Sequence, residues 1–165
     1  MTEVAKWRYH MCRMAQSAAQ ISTNTPDVVQ ILGGQAVFEK RPRSSVELRA
    51  RILEGLPYAA LESVMVMFHL ERSEVCEALN LSPRTFSRRR IEQQLQPDES
   101  DRLYRMARIA ARATEVFGEI EKAARWLHRP NRALGGYPPV RLVRTDLGSR
   151  QVEQVLGRIE HGVIS

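Results

Sequence analysis

From Ser45 onward, apolar side chains recur at intervals of three and four residues, and nowhere do they alternate over a useful length, so the pattern predicts an all-α protein. Ahead of that body, Val28, Ile31 and Leu32 followed by Gly33-Gly34 predict one short helix ended by a glycine pair, and Lys40, Arg41, Pro42 and Arg43 read as a basic linker. Ser45 is placed to cap a helix that carries Val46, Ile52 and Leu53 and is closed by Gly55 and Pro57. Leu61, Val64, Met65 and Phe68 continue the spacing in the next. Pro97, with Asp98 and Glu99 complementing the dipole, opens a long helix. Its apolar positions are Leu103, Met106, Ala107, Ala110, Ala113 and Phe117, and Gly118 closes it. Its alanines suit the close approach of a neighbouring helix. Ile120, Ala123, Ala124 and Leu127 form a further helical stretch that ends before Pro130, and Gly135, Gly136, Pro138 and Pro139 mark a loop. Thr145 then caps a last helix with the stripe Leu147, Val152, Val155, Leu156 and Ile159, stopped by Gly162. Residues 1–25, rich in Ala, Gln, Ser and Thr with Trp7 and Tyr9 as large aromatics, read either as a weak helix or as an arm that orders on contact.

One segment says more than its periodicity. RSEVCEALNLSPRTFSRRR, from Arg72 to Arg90, has the grammar of a helix-turn-helix, two short helices meeting across a tight turn with the second laid in the DNA major groove. Val75 and Leu79 point the first helix into the core, and Cys76 is small enough for the second to cross nearby. Asn80 falls at the turn, where the backbone is left-handed and Asn is tolerated better than any residue but Gly. Leu81 buries the turn, Ser82 caps the second helix, Pro83 takes its first position and Phe86 anchors it. What remains is Arg84, Thr85, Ser87, Arg88, Arg89 and Arg90, guanidinium forks and hydroxyls with no acid among them. Such a face suits phosphates and guanine edges. Arg84, Thr85, Ser87 and Arg88 are expected to look into the groove, Arg89 and Arg90 to hold phosphate, and Ser82 at the start of the helix to join the DNA-binding face; a basic solvated helix in an ordinary bundle is the plainer alternative.

Other constellations decide less. Arg102, Arg105, Arg108 and Arg112 make a basic stripe along the long helix that either extends a DNA footprint, meets an acidic partner or is simply solvated. His10, His69, His128 and His161 are dispersed, without metal-ligand pairing, and Cys12 and Cys76 suggest neither a disulfide framework nor a zinc site. There is no nucleophile elbow, and Gly33-Gly34 lacks the Lys and Ser/Thr of a phosphate loop, so neither an enzyme nor a cofactor is expected.

Composition changes the picture modestly. With 165 residues, 43% of them hydrophobic, the chain can bury a core in one domain or two small ones. Its 25 Lys and Arg against 19 Asp and Glu leave a charge of +6, which favours polyanionic partners and is equally what a plain basic protein would show. No apolar run is long enough to span a bilayer, and Glu3, Lys6 and Arg8 break up the first residues, so no membrane association or export is expected and the default location is the cytoplasm.

From about Ala60 to Ser165 the chain resembles the Xre-type antitoxins of RES/Xre toxin-antitoxin modules, the Xre/MbcA/ParS family. The resemblance runs in order through LSPRTFSRRR at Leu81, ESDRLYRMARI at Glu99, VFGE at Val116, ARWLHRPNRALGGYPP at Ala124 and LGRIEHGV at Leu156. Gln96 stands where a Ser cap is frequent, and Pro138-Pro139 where Thr-Pro is. The chain's own pattern sets off an N-terminal arm and linker over 1–44, and with the resemblance a helix-turn-helix DNA-binding domain is expected over 45–97 and a toxin-binding domain over 98–165. The resemblance implies an operator-binding homodimer within a larger complex, and a RES-type toxin partner that consumes NAD. The neutralising element is expected at the C-terminal end, Arg158, Glu160, His161, Gly162, Val163, Ile164 and Ser165, entering the toxin's active site. The competing reading is a free-standing helix-turn-helix regulator whose C-terminal helices dimerise or bind an effector.

Overall fold

A computed structural model describes residues 27–162, which are helices and turns with no strand among them. The N-terminal segment and Val163, Ile164 and Ser165 lie outside the described residues.

Asp27 caps α1 (Val28–Ile31), its carboxylate accepting from the Gln30 amide at 2.9 Å. The short helix ends ahead of the glycine pair as expected, but a second helical turn follows where a linker was expected to begin. Gly33, at φ 101°, turns the chain directly into α2 (Gly34–Val37). Ile31 and Leu32 are fully buried, and α1 packs on the long helix, so these residues belong to the core.

Ser44, one residue earlier than expected, caps α3 (Ser45–Glu54) by accepting from the Glu47 amide. The stripe that packs is Leu48 and Ile52; Val46 and Leu53, expected to serve the core, are 76% and 61% exposed. Two apolar stripes compete on this helix, and the i, i+4 pair faces inward. In α4 (Tyr58–Met67) the expected residues do pack: Leu61, Val64 and the following Phe68 are fully buried.

α5 (Arg72–Leu79) and α6 (Pro83–Glu92) follow, and then α7 (Pro97–Phe117), which begins at Pro97 and closes at the left-handed Gly118 as its sequence signals predict. Gln96 completes a reciprocal cap with Glu99, doing the work of a Ser cap. Helices α1, α3 and α5 pack on α7, as do α8 (Ile120–His128) and α10 (Asp146–Glu160). Small residues at Ala107, Ala110, Ala111 and Ala113 allow that crowding.

Between α8 and α10 lie a 3-10 turn (Arg132–Leu134) and α9 (Pro139–Leu142). Val152, Val155 and Leu156 of α10 are buried, whereas Leu147, expected on the same stripe, is 70% exposed. It sits in the first turn, beside Gly148, where α10 presses against the end of α9 so closely that a Cβ would stand 2.0 Å from the Leu142 carbonyl oxygen. Buried apolar residues from Ile31 to Leu156 form one continuous core.

Candidate nucleic-acid and partner interface

The turn between α5 and α6 is built by local chemistry. Asn80 adopts φ 55°, ψ 47°, and the Leu81 amide donates to the Cys76 carbonyl at 2.8 Å, closing α5. Ser82 Oγ accepts from the Thr85 amide at 3.0 Å, opening α6 behind Pro83. Phe86 is buried, edge-on to Tyr58 with ring centres 5.9 Å apart. Arg72, unremarked in the sequence, staples the two helices. Its guanidinium lies 4.9 Å over the Phe86 ring and donates to the Pro83 carbonyl and to Ser87 Oγ at 2.8 and 2.9 Å.

With Phe86 inward, α6 presents Ser82, Arg84, Ser87, Arg88 and Arg90 to solvent, together with Ile91. Arg88 Nε stands a loose 3.8 Å from Glu92. Thr85 is half-buried and its hydroxyl is engaged with Ser82 Oγ at 2.9 Å, so it flanks this face instead of leading it.

Arg89 departs from expectation. It was expected to hold phosphate, but it is only 6% exposed. Its Nε donates to both Glu99 oxygens, at 3.0 and 2.7 Å, and Nη1 donates to Glu92 at 2.5 Å. The hydrogen bond to Glu99 does most to push the guanidinium pKa up, so this cation stays charged inside the protein. Arg89 locks α6 to the start of α7 and is unavailable to DNA.

The basic stripe of α7 is spent on internal partners. Arg102 pairs with Asp98 and donates to the Leu79 carbonyl, and Arg105 pairs with Asp101. Arg108 reaches Glu153 of α10 at 2.8 Å; Arg112 bridges Glu115 and Glu160, and those hydrogen bonds, Glu115 first, push its pKa up. His128 fastens α8 to the helix-turn-helix: Nδ1 lies 2.9 Å from Glu74 and Nε2 3.0 Å from the Phe68 carbonyl oxygen. No sequence signal links residues separated by more than fifty positions.

At the C-terminal end, Arg158 and His161 share a shallow face of α10 with Gln154 and Gly157. Glu160 turns instead toward Arg112, and His161 Nε2 stands 3.8 Å from it. Gly162, exposed at φ 68°, follows the end of the helix. Among the described residues no helix is long and apolar enough to cross a membrane, and no cluster of three or more His, Cys, Asp or Glu has metal-binding geometry.

A capped and stapled helix-turn-helix, fused through one long helix to a second helical unit, defines a DNA-binding protein with an appended interaction module. Comparison with known proteins agrees in both parts. Residues 47–108 match the family model described as an antitoxin Xre-like helix-turn-helix domain, and residues 112–162 match the antitoxin Xre/MbcA/ParS C-terminal toxin-binding domain. Several relatives bear the name "Antitoxin Xre". That of Pseudomonas putida is 37% identical over 122 residues, covering 72% of this chain and 74% of the relative. That of Photorhabdus laumondii is 32% identical over 124 residues, covering 74% and 84%. A more distant relative from a Sphingobium species, 26% identical over 132 residues and covering 74% of this chain and 83% of its own, is named "Prs ADP-ribosylating antitoxin". The chain belongs to the Xre family of antitoxins, with a helix-turn-helix domain and a toxin-binding domain.

Proposed function

We propose that this antitoxin neutralises a RES-type, NAD-consuming toxin by seating its C-terminal end in the toxin's active site, and that as a homodimer it binds operator DNA through α6 to repress its own module. Residues 45–97 then read DNA and residues 98–165 hold the toxin, with α7, which opens the second range, packed against helices of both. The chemistry belongs to the toxin.

The observation that carries this reading is the succession of a helix-turn-helix and a toxin-binding domain on one helical frame. An NAD-consuming target is supported by the resemblance to RES/Xre antitoxins and by the Sphingobium relative's name, since ADP-ribosylation draws its ADP-ribose from NAD. A plug at the C-terminal end is supported by how α10 is held. Arg108 and Arg112 tie Glu153 and Glu160 to α7, leaving Arg158 and His161 exposed on a braced helix, and Gly162 permits a sharp turn into Val163, Ile164 and Ser165. Two apolar side chains at the end of such a platform suit an enclosed cleft.

Deleting residues 162–165 tests the plug. The helices and DNA binding should be retained, while cells expressing the cognate toxin should lose rescue. Growth equal to that with the full-length chain would place neutralisation elsewhere in the C-terminal domain.

A further inference from the structure

The DNA-facing side of α6 carries one side chain that basic recognition does not explain. Ile91 is 84% exposed, more than any other large hydrophobic among the described residues. It follows Arg84 by seven residues and Arg88 by three, so with 3.6 residues per turn the three share a stripe. The buried Phe86 and Arg89 define the opposite side. A β-branched residue in the exposed last turn gains neither burial nor helix propensity. An isolated exposed Val or Leu elsewhere on a protein needs no account, but this one extends the stripe that the arginines begin.

We propose that Ile91 reads the C5-methyl group of a thymine in the major groove. This rests on the reading of α6 as the DNA-recognition helix. The major-groove edge of a thymine offers a methyl group beside its O4 acceptor, and an aliphatic side chain is its natural complement, as an arginine fork is for guanine. Seven residues of helix rise about 10 Å, which is roughly three base steps at 3.4 Å each. The operator half-site therefore carries a guanine met by Arg84 and, about three base pairs along, the thymine met by Ile91. The tie from Arg72 to Ser87 and the buried Arg89–Glu99 pair fix the roll of α6 that brings Ile91 to bear.

The test uses the full-length chain and a duplex that it selects from a random synthetic pool. Each thymine is replaced in turn by uracil, which removes only the methyl group. At one position uracil should weaken binding about fourfold, the equivalent of about 0.8 kcal/mol for one methyl-sized apolar contact. Ile91→Ala should bind the thymine and uracil duplexes alike, while its far-ultraviolet circular dichroism stays unchanged. If uracil has no effect at any position, or Ile91→Ala still discriminates, the assignment is overturned though α6 still reads DNA. Failure to enrich any duplex removes the DNA reading itself and this inference with it. If Ile91→Ala instead changes the sedimentation of the free chain and leaves thymine discrimination intact, Ile91 belongs to a contact between copies and the inference falls.

Discussion

Two neighbouring arginines on α6 illustrate how little residue type says without environment. Arg88 is exposed with a loose tether, and Arg89 is buried with two carboxylates around it. Arg88→Ala should weaken binding to a selected operator by about 1 to 3 kcal/mol more than binding to random duplex, whereas Arg90→Ala should weaken both alike and reduce the salt slope by about one. Equal losses for Arg88→Ala on both DNAs would remove its base-reading role. Arg89→Met leaves Glu99 buried without its cation, and breaking such a pair from one side costs about 3 to 5 kcal/mol. Adding Glu99→Gln should restore more than half of that loss in urea unfolding. An Arg89→Met chain of unchanged stability but weaker DNA binding would reinstate the phosphate contact that its burial argues against.

The elements were legible wherever their chemistry is local. Asn80, Ser82 and Pro83 place the turn within a few residues of one another, and Pro97 and Gly118 bracket α7 by backbone rules alone. Facing was less legible. Val46 and Leu53 lie as regularly as Leu48 and Ile52, and only the position of α7 decides which stripe is buried. Partners distant in sequence were not legible at all, because Arg89 meets Glu99 only once the chain has turned between α6 and α7, and Arg112 meets Glu160 only when α10 docks. The stripe Arg102 to Arg112 therefore reads in sequence as a DNA footprint, a partner surface or a solvated face, although it braces the molecule itself. In the C-terminal site, Arg158 and His161 lie on one face as the helical period requires, but the diversion of Glu160 to Arg112 needed the fold.

Two glycines of α10 separate docking from intrinsic helix stability. At Gly148 a Cβ would collide with the Leu142 carbonyl, while at Gly157 nothing lies within 4 Å. Gly148→Ala should lower stability by about 1 to 3 kcal/mol and weaken toxin neutralisation, because α10 can no longer seat against α9. Gly157→Ala should raise stability by roughly 0.5 to 1 kcal/mol. Thermal unfolding of the two variants checks both signs, and a Gly148→Ala chain as stable as its parent would mean that α10 is not held at that contact.

At the scale of the molecule, both functional units share one core and one helix. His128 fastens α8 to α5 through Glu74 and the Phe68 carbonyl, and residues from Ile31 to Leu156 pack continuously. The two units should therefore unfold together. In a Trp7→Phe chain, the fluorescence of Trp126 reports the C-terminal unit, and in urea it should fall with the same midpoint as the helical circular dichroism of the whole. Two separate midpoints would show that the core divides.

The shared helix also acts as a drive shaft. Each residue added to α7 between Glu99 and Arg112 would rotate its C-terminal end about 100° against its N-terminal end and push it about 1.5 Å along the axis. Substitutions on the surface of either unit leave that mutual bearing unchanged. A change in the length of α7 throws its two ends out of phase at once, because helices of both units pack on it.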